Sequence, residues 1–301
     1  MSAVTLDNRV AIVTGAGGGL GRAHALLLAE HGARVVVNDL GGNADGTGAG
    51  STMADQVVKE IEAAGGEAVA NYDSVSTPEG GEAIVQSALD AFGTVDIVIN
   101  NAGILRDKSF AKIAPADFDI LLDVHLRGAF HVSQPAFKVM KENGFGRFVH
   151  TTSAAGLFGN FGQANYAAAK TGLVGLSNVL AVEGAKANIN SNVIAPIARS
   201  RLTEDLLGPM AEGLRPELVS PLVVYLSSPQ CELTHEIFSV GGGRIARVFV
   251  GLTPGWFAGK DVDFSAADVA AHIDEIRSLD DFIVPGSVME ETMALMQRMS
   301  G

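Results

Sequence analysis

A tyrosine and a lysine four residues apart are the side chains best suited to acid–base chemistry. Tyr166 and Lys170 lie in a segment that is predicted to be helical, and positions i and i+4 share one face of a helix. An ammonium group within about 4–6 Å of a phenol favours the phenolate and lowers the phenol's pKa from its usual value of about 10. The pair therefore indicates an acid–base catalyst that works near neutral pH, although the same spacing also occurs in simple surface pairs.

A serine that precedes this tyrosine by 13 residues could hold a substrate oxygen. Ser153 follows closely on the predicted strand Arg147–His150, and α/β sheets bind ligands at the carboxyl ends of their strands. Thr151, Thr152 and Ser153 could equally be turn residues that cap backbone groups. The serine alone therefore does not distinguish a catalytic site from a turn.

A glycine-rich turn near the N-terminus predicts a dinucleotide site. Residues 14–21 (TGAGGGLG) lie between the predicted strand Val10–Val13 and a helix from about Arg22 to His31. Glycines let backbone N–H groups approach a pyrophosphate, and the helix N-terminus favours its negative charge. Asp39 ends the next strand, where a carboxylate accepts hydrogen bonds from both ribose hydroxyls and repels a 2′-phosphate. This pattern predicts NAD rather than NADP, the alternative being a structural turn in which Asp39 caps a loop.

Short apolar runs alternate with helical patterns, which predicts buried parallel strands joined by right-handed crossovers. The fold class is therefore α/β, a single-domain Rossmann fold in residues 1–243 with a doubly wound, seven-stranded parallel sheet and helices on both faces. Residues 244–301 are predicted to be a C-terminal extension packed on the same domain. The predicted strands are 10–13, 34–39, 67–70, 95–100, 147–150, 192–195 and 237–240.

Three further segments bear on the site. The glycine-rich stretch Leu40–Gly50 is predicted to be a loop, and Thr203–Leu214 is interpreted as a short helical lobe. A helix is predicted over Pro115–Glu142, with a break or kink near Gly128 or Pro135.

Composition restricts the classes of function. The 301 residues carry a formal net charge of −13, so no chain-wide field attracts nucleic acid or anionic lipid. The single cysteine, Cys231, excludes an intrachain disulfide and an all-cysteine metal site, and no metal site is predicted. No uninterrupted apolar run reaches about 18 residues, and no leader pattern is visible. These features predict a soluble, cytoplasmic protein.

Four motifs occur in an order and spacing that resemble the short-chain dehydrogenase/reductase family over about residues 7–243. They are Thr14-Gly15-x-x-x-Gly19-x-Gly21, Asn100-Asn101-Ala102-Gly103, Ser153 and Tyr166-x-x-x-Lys170. The resemblance implies a Rossmann-fold enzyme that transfers a hydride between a nicotinamide and an alcohol or carbonyl carbon.

The resemblance also implies roles for individual residues. Tyr166 is the proton donor and acceptor, Lys170 lowers the pKa of that tyrosine and binds the nicotinamide ribose, and Ser153 hydrogen-bonds the reacting oxygen. The residues implied to bind NAD are Gly15, Gly19, Leu20, Gly21, Asp39, Asp73, Ser74, Val75, Asn101, Ala102, Gly103, Tyr166, Lys170 and Pro196.

One position departs from the family pattern. Most members carry an asparagine where this chain has His125, in the segment Val124-His125-Leu126-Arg127-Gly128. An imidazole there could hold the helix kink and a water, or relay a proton itself, which makes His125 a candidate catalytic residue. Packing between helices is the alternative.

Several segments are similar to one branch of the family, the (3R)-hydroxyacyl-CoA dehydrogenase domains of type 2 multifunctional enzymes, which share the His-for-Asn replacement. These segments are 38–42, 70–75, 103–107 and 159–166. The resemblance implies oxidation of the 3-hydroxyl of an acyl-CoA, in the pathway of fatty acid β-oxidation. A 17β-hydroxysteroid or a steroid side-chain CoA thioester is the alternative substrate. An NAD-binding protein without activity is a third interpretation, against which the intact Ser153, Tyr166 and Lys170 argue.

The proposed substrate and the family both imply further contacts. A CoA thioester needs cations near its phosphates. The candidate cations are Arg106, Lys108, Lys112, Arg199 and Arg201, each of which could also be ordinary surface charge.

The family also implies a homodimer or homotetramer. In this family the predicted helices Asn165–Ala187 and Pro115–Glu142 pair across a two-fold axis, and the small residues of Asn165–Ala187 allow such close packing.

Overall fold

The computed structural model describes residues 4–199 and 213–300, and eight strands within them form one sheet. The strands are β1 (Val10–Thr14), β2 (Arg34–Asn38), β3 (Ala68–Asn71), β4 (Ile97–Asn100), β5 (Gly146–Thr151), β6 (Ile189–Pro196), β7 (Ile237–Gly241) and β8 (Arg244–Val248). Their order across the sheet is β3-β2-β1-β4-β5-β6-β7-β8. Strands β1 to β7 pair in parallel, which confirms the predicted Rossmann fold.

The eighth strand was not predicted, because residues 244–248 were assigned to the extension. Strand β8 follows β7 after only two residues, Gly242 and Gly243, and so short a connection joins antiparallel strands. Both glycines have positive φ, of 57° and 82°, as a two-residue hairpin turn of type I′ requires. The sequence signal for this hairpin is the run of three glycines at 241–243, the first of which ends β7.

Helices cover both faces of the sheet, as predicted. They are α1 (Gly19–Glu30), α2 (Thr52–Ala63), α3 (Pro78–Phe92), α4 (Pro115–Leu122), α5 (Gly128–Asn143), α6 (Ala154–Phe158), α7 (Ala164–Gly184) and α8 (Ser220–Ser227). After β8 the chain also forms α9 (Ala266–Ala271), α10 (Ile273–Arg277) and α11 (Val288–Ser300). In the described residues, no helix is long and apolar enough to cross a membrane.

The predicted break in the helix 115–142 is a wide turn. Residues Asp123–Arg127 form one π-helical turn between α4 and α5, which ends at Gly128, and Pro135 lies within α5 without ending it. Such a turn inserts an extra residue into a helix and commonly marks a functional site. Here the inserted turn carries His125.

The core lies on both faces of the sheet, because successive residues of a strand point to opposite sides. In β1, Ala11 and Val13 belong to one apolar cluster, whereas Val10 and Ile12 belong to the other. All four are fully buried, which is why the strand reads as an uninterrupted apolar run rather than an alternating one.

The backbone divides into two compact units, Met1–Arg247 and Val248–Gly301. The division falls four residues after the predicted boundary, since β8 belongs with the sheet. That the second unit packs on the first stays a prediction. Residues 40–50 contain neither helix nor strand, as predicted, and residues 203–212 of the predicted helical lobe lie outside the described part of the chain.

Candidate active site

A cleft of about 620 Å³ opens at the carboxyl ends of the strands, where β1 and β4 lie side by side. The strand order reverses here, because β2 and β3 lie on one side of β1 and β4 lies on the other. Open α/β sheets bind ligands in the crevice that forms at such a reversal. Of the predicted site residues, every one but Gly21 lines this cleft. They are Gly15, Gly19, Leu20, Asp39, Asp73, Ser74, Val75, Asn101, Ala102, Gly103, His125, Ser153, Tyr166, Lys170 and Pro196.

Gly21 does not line the cleft and instead shapes the glycine turn from behind. A Cβ atom on Gly21 would lie 2.1 Å from the carbonyl oxygen of Gly15 and 2.6 Å from the Asn101 amide nitrogen. That amide group in turn donates to the carbonyl oxygens of Thr14 and Gly15, at 3.0 and 3.1 Å. The absence of a side chain at Gly21 therefore lets helix α1 and β4 hold the glycine turn in place.

Asp39 joins the glycine turn to the loop that follows β2. One carboxylate oxygen accepts from the backbone N–H of Gly17, and the other accepts from that of Gly41, each at 2.7 Å. A Cβ on Gly17 would lie 2.8 Å from the Asp39 carboxylate, so only glycine fits there. Gly17 was missed by the sequence analysis, although it lies in the same glycine run.

The turn fits the dinucleotide that the sequence predicts. Gly15, Gly18 and Gly19 face the cleft without side chains, directly before the N-terminus of α1, and Asp39 lies on the same wall. A pyrophosphate fits such a surface because backbone N–H groups and the helix dipole both favour an anion. A carboxylate at the adjoining position accepts hydrogen bonds from a ribose.

The strand ends beside β2 form the next part of the wall. The Asn38 side-chain amide donates to the carbonyl oxygen of Asp73 at 2.9 Å, and that of Asn71 donates to the Asp73 carboxylate at 2.8 Å. These bonds order the Asp73-Ser74-Val75 segment at the rim. Val75 also packs on Gly128, the first residue of α5.

Tyr166 and Lys170 lie on one face of α7, as predicted, with the lysine nitrogen 5.5 Å from the centre of the tyrosine ring. Lys170 is buried, and its ammonium donates to the carbonyl oxygen of Thr151 at 2.6 Å. The Thr152 hydroxyl donates to the Lys170 carbonyl, also at 2.6 Å. Thr151, which ends β5, and Thr152 therefore fix the position of α7, whereas Ser153 caps α6 by accepting from the Ala155 N–H.

The direction of the Tyr166 pKa shift is opposite to the one expected. Burial raises the pKa of Tyr166 to about 12, although a hydrogen bond with Ser153 lowers it, and the charge of Asp107 raises it further. Burial also lowers the pKa of Lys170 to about 7. Because desolvation penalises the charged form of each group, burial favours the protonated phenol of Tyr166 and the uncharged amine of Lys170.

His125 packs edge-on against the Tyr166 ring, with 5.2 Å between ring centres. Its Nε2 lies 2.9 Å from the carbonyl oxygen and 3.1 Å from the amide nitrogen of Ile104, whereas its buried Nδ1 has no partner. Burial lowers the pKa of His125 well below its usual value, so the ring is neutral. Both partners of Nε2 are backbone atoms of Ile104, which do not release or take up protons. This favours a positioning role for His125 over a proton relay.

Two further residues near Tyr166 were missed. Gln163, just before α7, is buried and donates to the Asp107 carboxylate at 2.7 Å, while it accepts from Asn160 at 2.9 Å. Burial raises the pKa of Asp107. Nothing local in the sequence marks this cluster, because its members come from the loops after β4 and α6.

The candidate cations are already engaged where the structure describes their side-chain contacts. Arg106 and Lys108 both bind the carboxylate of Asp117, at 3.3 and 3.0 Å. Lys112 and Arg199 are exposed, and Arg201 lies outside the described residues. That these cations bind the phosphates of a CoA thioester stays a prediction.

Comparison with known proteins decides the family. The model of the short chain dehydrogenase family matches residues 9–204. The chain belongs to that family. The motif residues of this dehydrogenase all lie within the match, and the eighth strand and the unit 248–301 lie outside it.

Two curated relatives are similar over most of the dehydrogenase. Peroxisomal multifunctional enzyme type 2 of Mus musculus is 55% identical over 248 residues, which are 82% of this chain and 33% of the mouse protein. A protein of Mycobacterium tuberculosis named as a short-chain type dehydrogenase/reductase is 53% identical over 275 residues, which cover 91% of this chain and 96% of that one. The chain thus spans about a third of the mouse relative.

Two solved structures are similar in fold. The full-length peroxisomal multifunctional enzyme type 2 of Drosophila melanogaster superposes with a TM-score of 0.83 and 36% identity, covering 99% of this dehydrogenase and 50% of that chain. A 7α-hydroxysteroid dehydrogenase complexed with NADH and 7-oxo glycochenodeoxycholic acid gives a TM-score of 0.72 and 30% identity, covering 79% and 95%. The family and this relative together imply a nicotinamide cofactor.

The pKa directions predict how the pH profile of the dehydrogenase responds to Asp107→Asn. In its predicted role as general base, Tyr166 must be deprotonated for alcohol oxidation, so the expected rate rises with pH towards the tyrosine pKa. Removing the Asp107 charge lowers that pKa, and the rising limb is expected to move to lower pH, while the Gln163 hydrogen bond is kept. The exposed Asp119→Asn is the control in pH–rate measurements, and an unshifted limb in Asp107→Asn contradicts the assignment.

Proposed function

We propose that this oxidoreductase uses NAD to oxidise the 3-hydroxyl group of a (3R)-hydroxyacyl-CoA to the 3-ketoacyl-CoA, with Tyr166 as general base. The observation that carries the proposal is the meeting of Ser153, Tyr166 and Lys170 on one wall of the cleft whose other wall is the glycine turn. The substrate class rests on the motifs shared with the (3R)-hydroxyacyl-CoA dehydrogenase branch and on the 55% identity to the mouse multifunctional enzyme.

The proposed NAD site uses residues that the cleft brings together. The pyrophosphate would lie against Gly15, Gly18 and Gly19, and Asp39 would bind the adenosine ribose. The bound nicotinamide supplies the redox chemistry, because its ring accepts the hydrogen and electron pair that leave the alcohol carbon. Lys170, deeper in the cleft, would contact the ribose at that end.

Proton transfer is the work of the chain's own side chains. The phenolate of Tyr166 takes the hydroxyl proton, and the Ser153 hydroxyl holds the substrate oxygen beside it. The buried ammonium of Lys170 stabilises the phenolate. His125 orients the Tyr166 ring by its edge contact, and burial, which lowers the pKa of His125, favours the neutral imidazole.

A hydroxysteroid is the second candidate substrate. The steroid dehydrogenase with 30% identity supports this alternative, and so do the apolar residues Leu105, Ile120 and Phe158, which line the cleft. A 17β-hydroxysteroid or a steroid side-chain CoA thioester would use the same three catalytic residues.

Formation of NADH is expected with a (3R)-hydroxyacyl-CoA and not with its (3S) isomer, and NAD should support a higher kcat/KM than NADP. The assay runs both isomers and a 17β-hydroxysteroid against NAD and NADP in parallel. Equal turnover of the free steroid would replace the proposed substrate by the alternative. Preference for NADP would contradict the role given to Asp39.

Two wider expectations are kept as proposals. A homodimer or homotetramer through α5 and α7 is supported by three exposed apolar side chains on these helices, Phe130, Val179 and Val182. The cytoplasmic location stays a prediction, and it differs from the peroxisomal location in the mouse relative's name.

A further inference from the structure

The loop after β2 crosses over the glycine turn. In the sheet, β1 lies between β2 and β4, and adjacent strands are about 4.8 Å apart. Residues 40–50 leave the end of β2 and nevertheless contact residues 104–106, which leave the end of β4. The segment between these contacts must therefore pass above the end of β1, where the glycine turn lies. We call residues 40–50 the strap.

Three contacts attach the strap to the far side. The carbonyl oxygen of Ala44 accepts from the N–H of Leu105 at 3.0 Å. The Arg106 Nε donates to the carbonyl oxygen of Asp45 at 2.9 Å. Gly46 lies against Ile104, since a Cβ there would be 2.9 Å from the Ile104 Cδ1 atom.

The near end of the strap is closed on itself. The Leu40 carbonyl accepts from the N–H of Gly50 at 2.9 Å, and the Gly41 N–H donates to Asp39, the proposed ribose-binding carboxylate. A Cβ on Gly41 would lie 1.9 Å from the Gly50 oxygen, so its two ends are adjacent. The strap is thus a closed loop that is based at Asp39 and reaches across the cleft.

Arg106 is held in place independently of the strap. Its guanidinium binds Asp117 at 3.3 Å, and its carbonyl oxygen accepts from the side-chain amide of Asn165, beside Tyr166, at 3.2 Å. Most of the strap is exposed, and within residues 40–50 the structure shows neither helix nor strand. Arg106 is thus a fixed hydrogen-bond donor that holds an exposed loop. We call its bond to the Asp45 carbonyl oxygen the latch.

We propose that the strap closes over the bound dinucleotide and that Arg106 is the positioning residue that latches it. The strap lines the cleft with five residues, so a dinucleotide on the glycine turn lies beneath it. They are Leu40, Gly42, Asn43, Ala44 and Gly46. Arg106 therefore serves cofactor retention rather than the CoA phosphates. The proposal rests on the nicotinamide cofactor and not on the identity of the substrate.

The test is the release rate of NADH, measured by displacement in stopped-flow fluorescence without substrate. Arg106→Gln and Arg106→Lys are both expected to speed release about tenfold, the effect of losing one hydrogen bond from a charged donor. Lysine keeps the charge but lacks the planar Nε–H donor. The exposed Lys141→Gln, which removes a charge far from the strap, is the control and should release NADH at the rate of the unaltered protein.

A second variant removes the strap. Joining Gly41 to Gly50 deletes residues 42–49 where the two ends already meet. It is expected to release NADH at least as fast as Arg106→Gln, so the proposal stays testable if the arginine variants do not fold. The KM for NAD should rise, while the KM for the alcohol substrate should not change.

Two results would overturn the latch. One is unchanged NADH release in the strap deletion or in folded Arg106 variants, with folding checked by circular dichroism. The other is a raised KM for a hydroxyacyl-CoA in Arg106→Gln that disappears with a pantetheine thioester lacking the CoA phosphates, because that pattern would assign Arg106 to the substrate. Failure of the substrate assignment itself leaves the NADH release rates unaffected.

Discussion

Tyr166→Phe is expected to lower kcat by about a thousandfold or more, because acid–base catalysis and oxygen binding are lost together. The substitution removes only the hydroxyl, and the ring keeps its edge contact with His125. The cleft therefore stays intact, and the dissociation constant for NADH should change by less than about threefold, since a single peripheral hydrogen bond is at stake. Steady-state kinetics and fluorescence titration measure the two effects separately.

Tyr225→Phe is the matched control for this prediction. Tyr225 is 37% exposed and lies on α8, outside the cleft. The Tyr225→Phe variant should therefore be as active as the unaltered enzyme. Retained turnover in Tyr166→Phe would contradict the catalytic assignment. Loss of NADH binding together with turnover would instead give the tyrosine a structural role.

Gly21→Ala is expected to abolish measurable NADH binding at concentrations that saturate the unaltered protein. Alanine is the better helix former, but its Cβ would lie 2.1 Å from the Gly15 carbonyl oxygen, so the turn must move. Overpacking of this kind costs about 1–3 kcal/mol of stability. The affinity for NADH, measured by titration, and the midpoint temperature of thermal unfolding should therefore both fall.

Gly175→Ala is the control, because Gly175 also lies within a helix and nothing is within 4 Å of its Cβ position. Gly175 lies outside the cleft, so alanine there should leave NADH binding unchanged. If Gly21→Ala behaved like Gly175→Ala, the close packing behind the glycine turn would be disproved.

The order of the elements and the main site residues could be read from the sequence because their signals are local. A strand buried on both faces is an apolar run, and the helix pair of Tyr166 and Lys170 depends only on the 3.6-residue period. The glycines likewise act through their own backbone and its immediate surroundings. These signals predicted the Rossmann fold and a cleft lined by Ser153, Tyr166 and Lys170.

The loops could not be read in the same way. Arg106 appears in the sequence as a cation after a strand, and only the structure shows its bonds to Asp45 and Asp117. Gln163 and Asp107 are 56 positions apart, and no periodicity links them. The eighth strand was missed because its three-glycine signal was taken as the end of the domain.

Residue types and spacing thus determine which groups can do chemistry here, since backbone periodicity places them on a common face or turn. The tertiary structure decides in which protonation state they rest. Burial is a property of the assembled chain, and desolvation raises the pKa of Tyr166 to about 12 where helix spacing alone predicts a lower value. The assembled sheet also places the strap over the glycine turn, because only the order of β2, β1 and β4 brings those distant segments together.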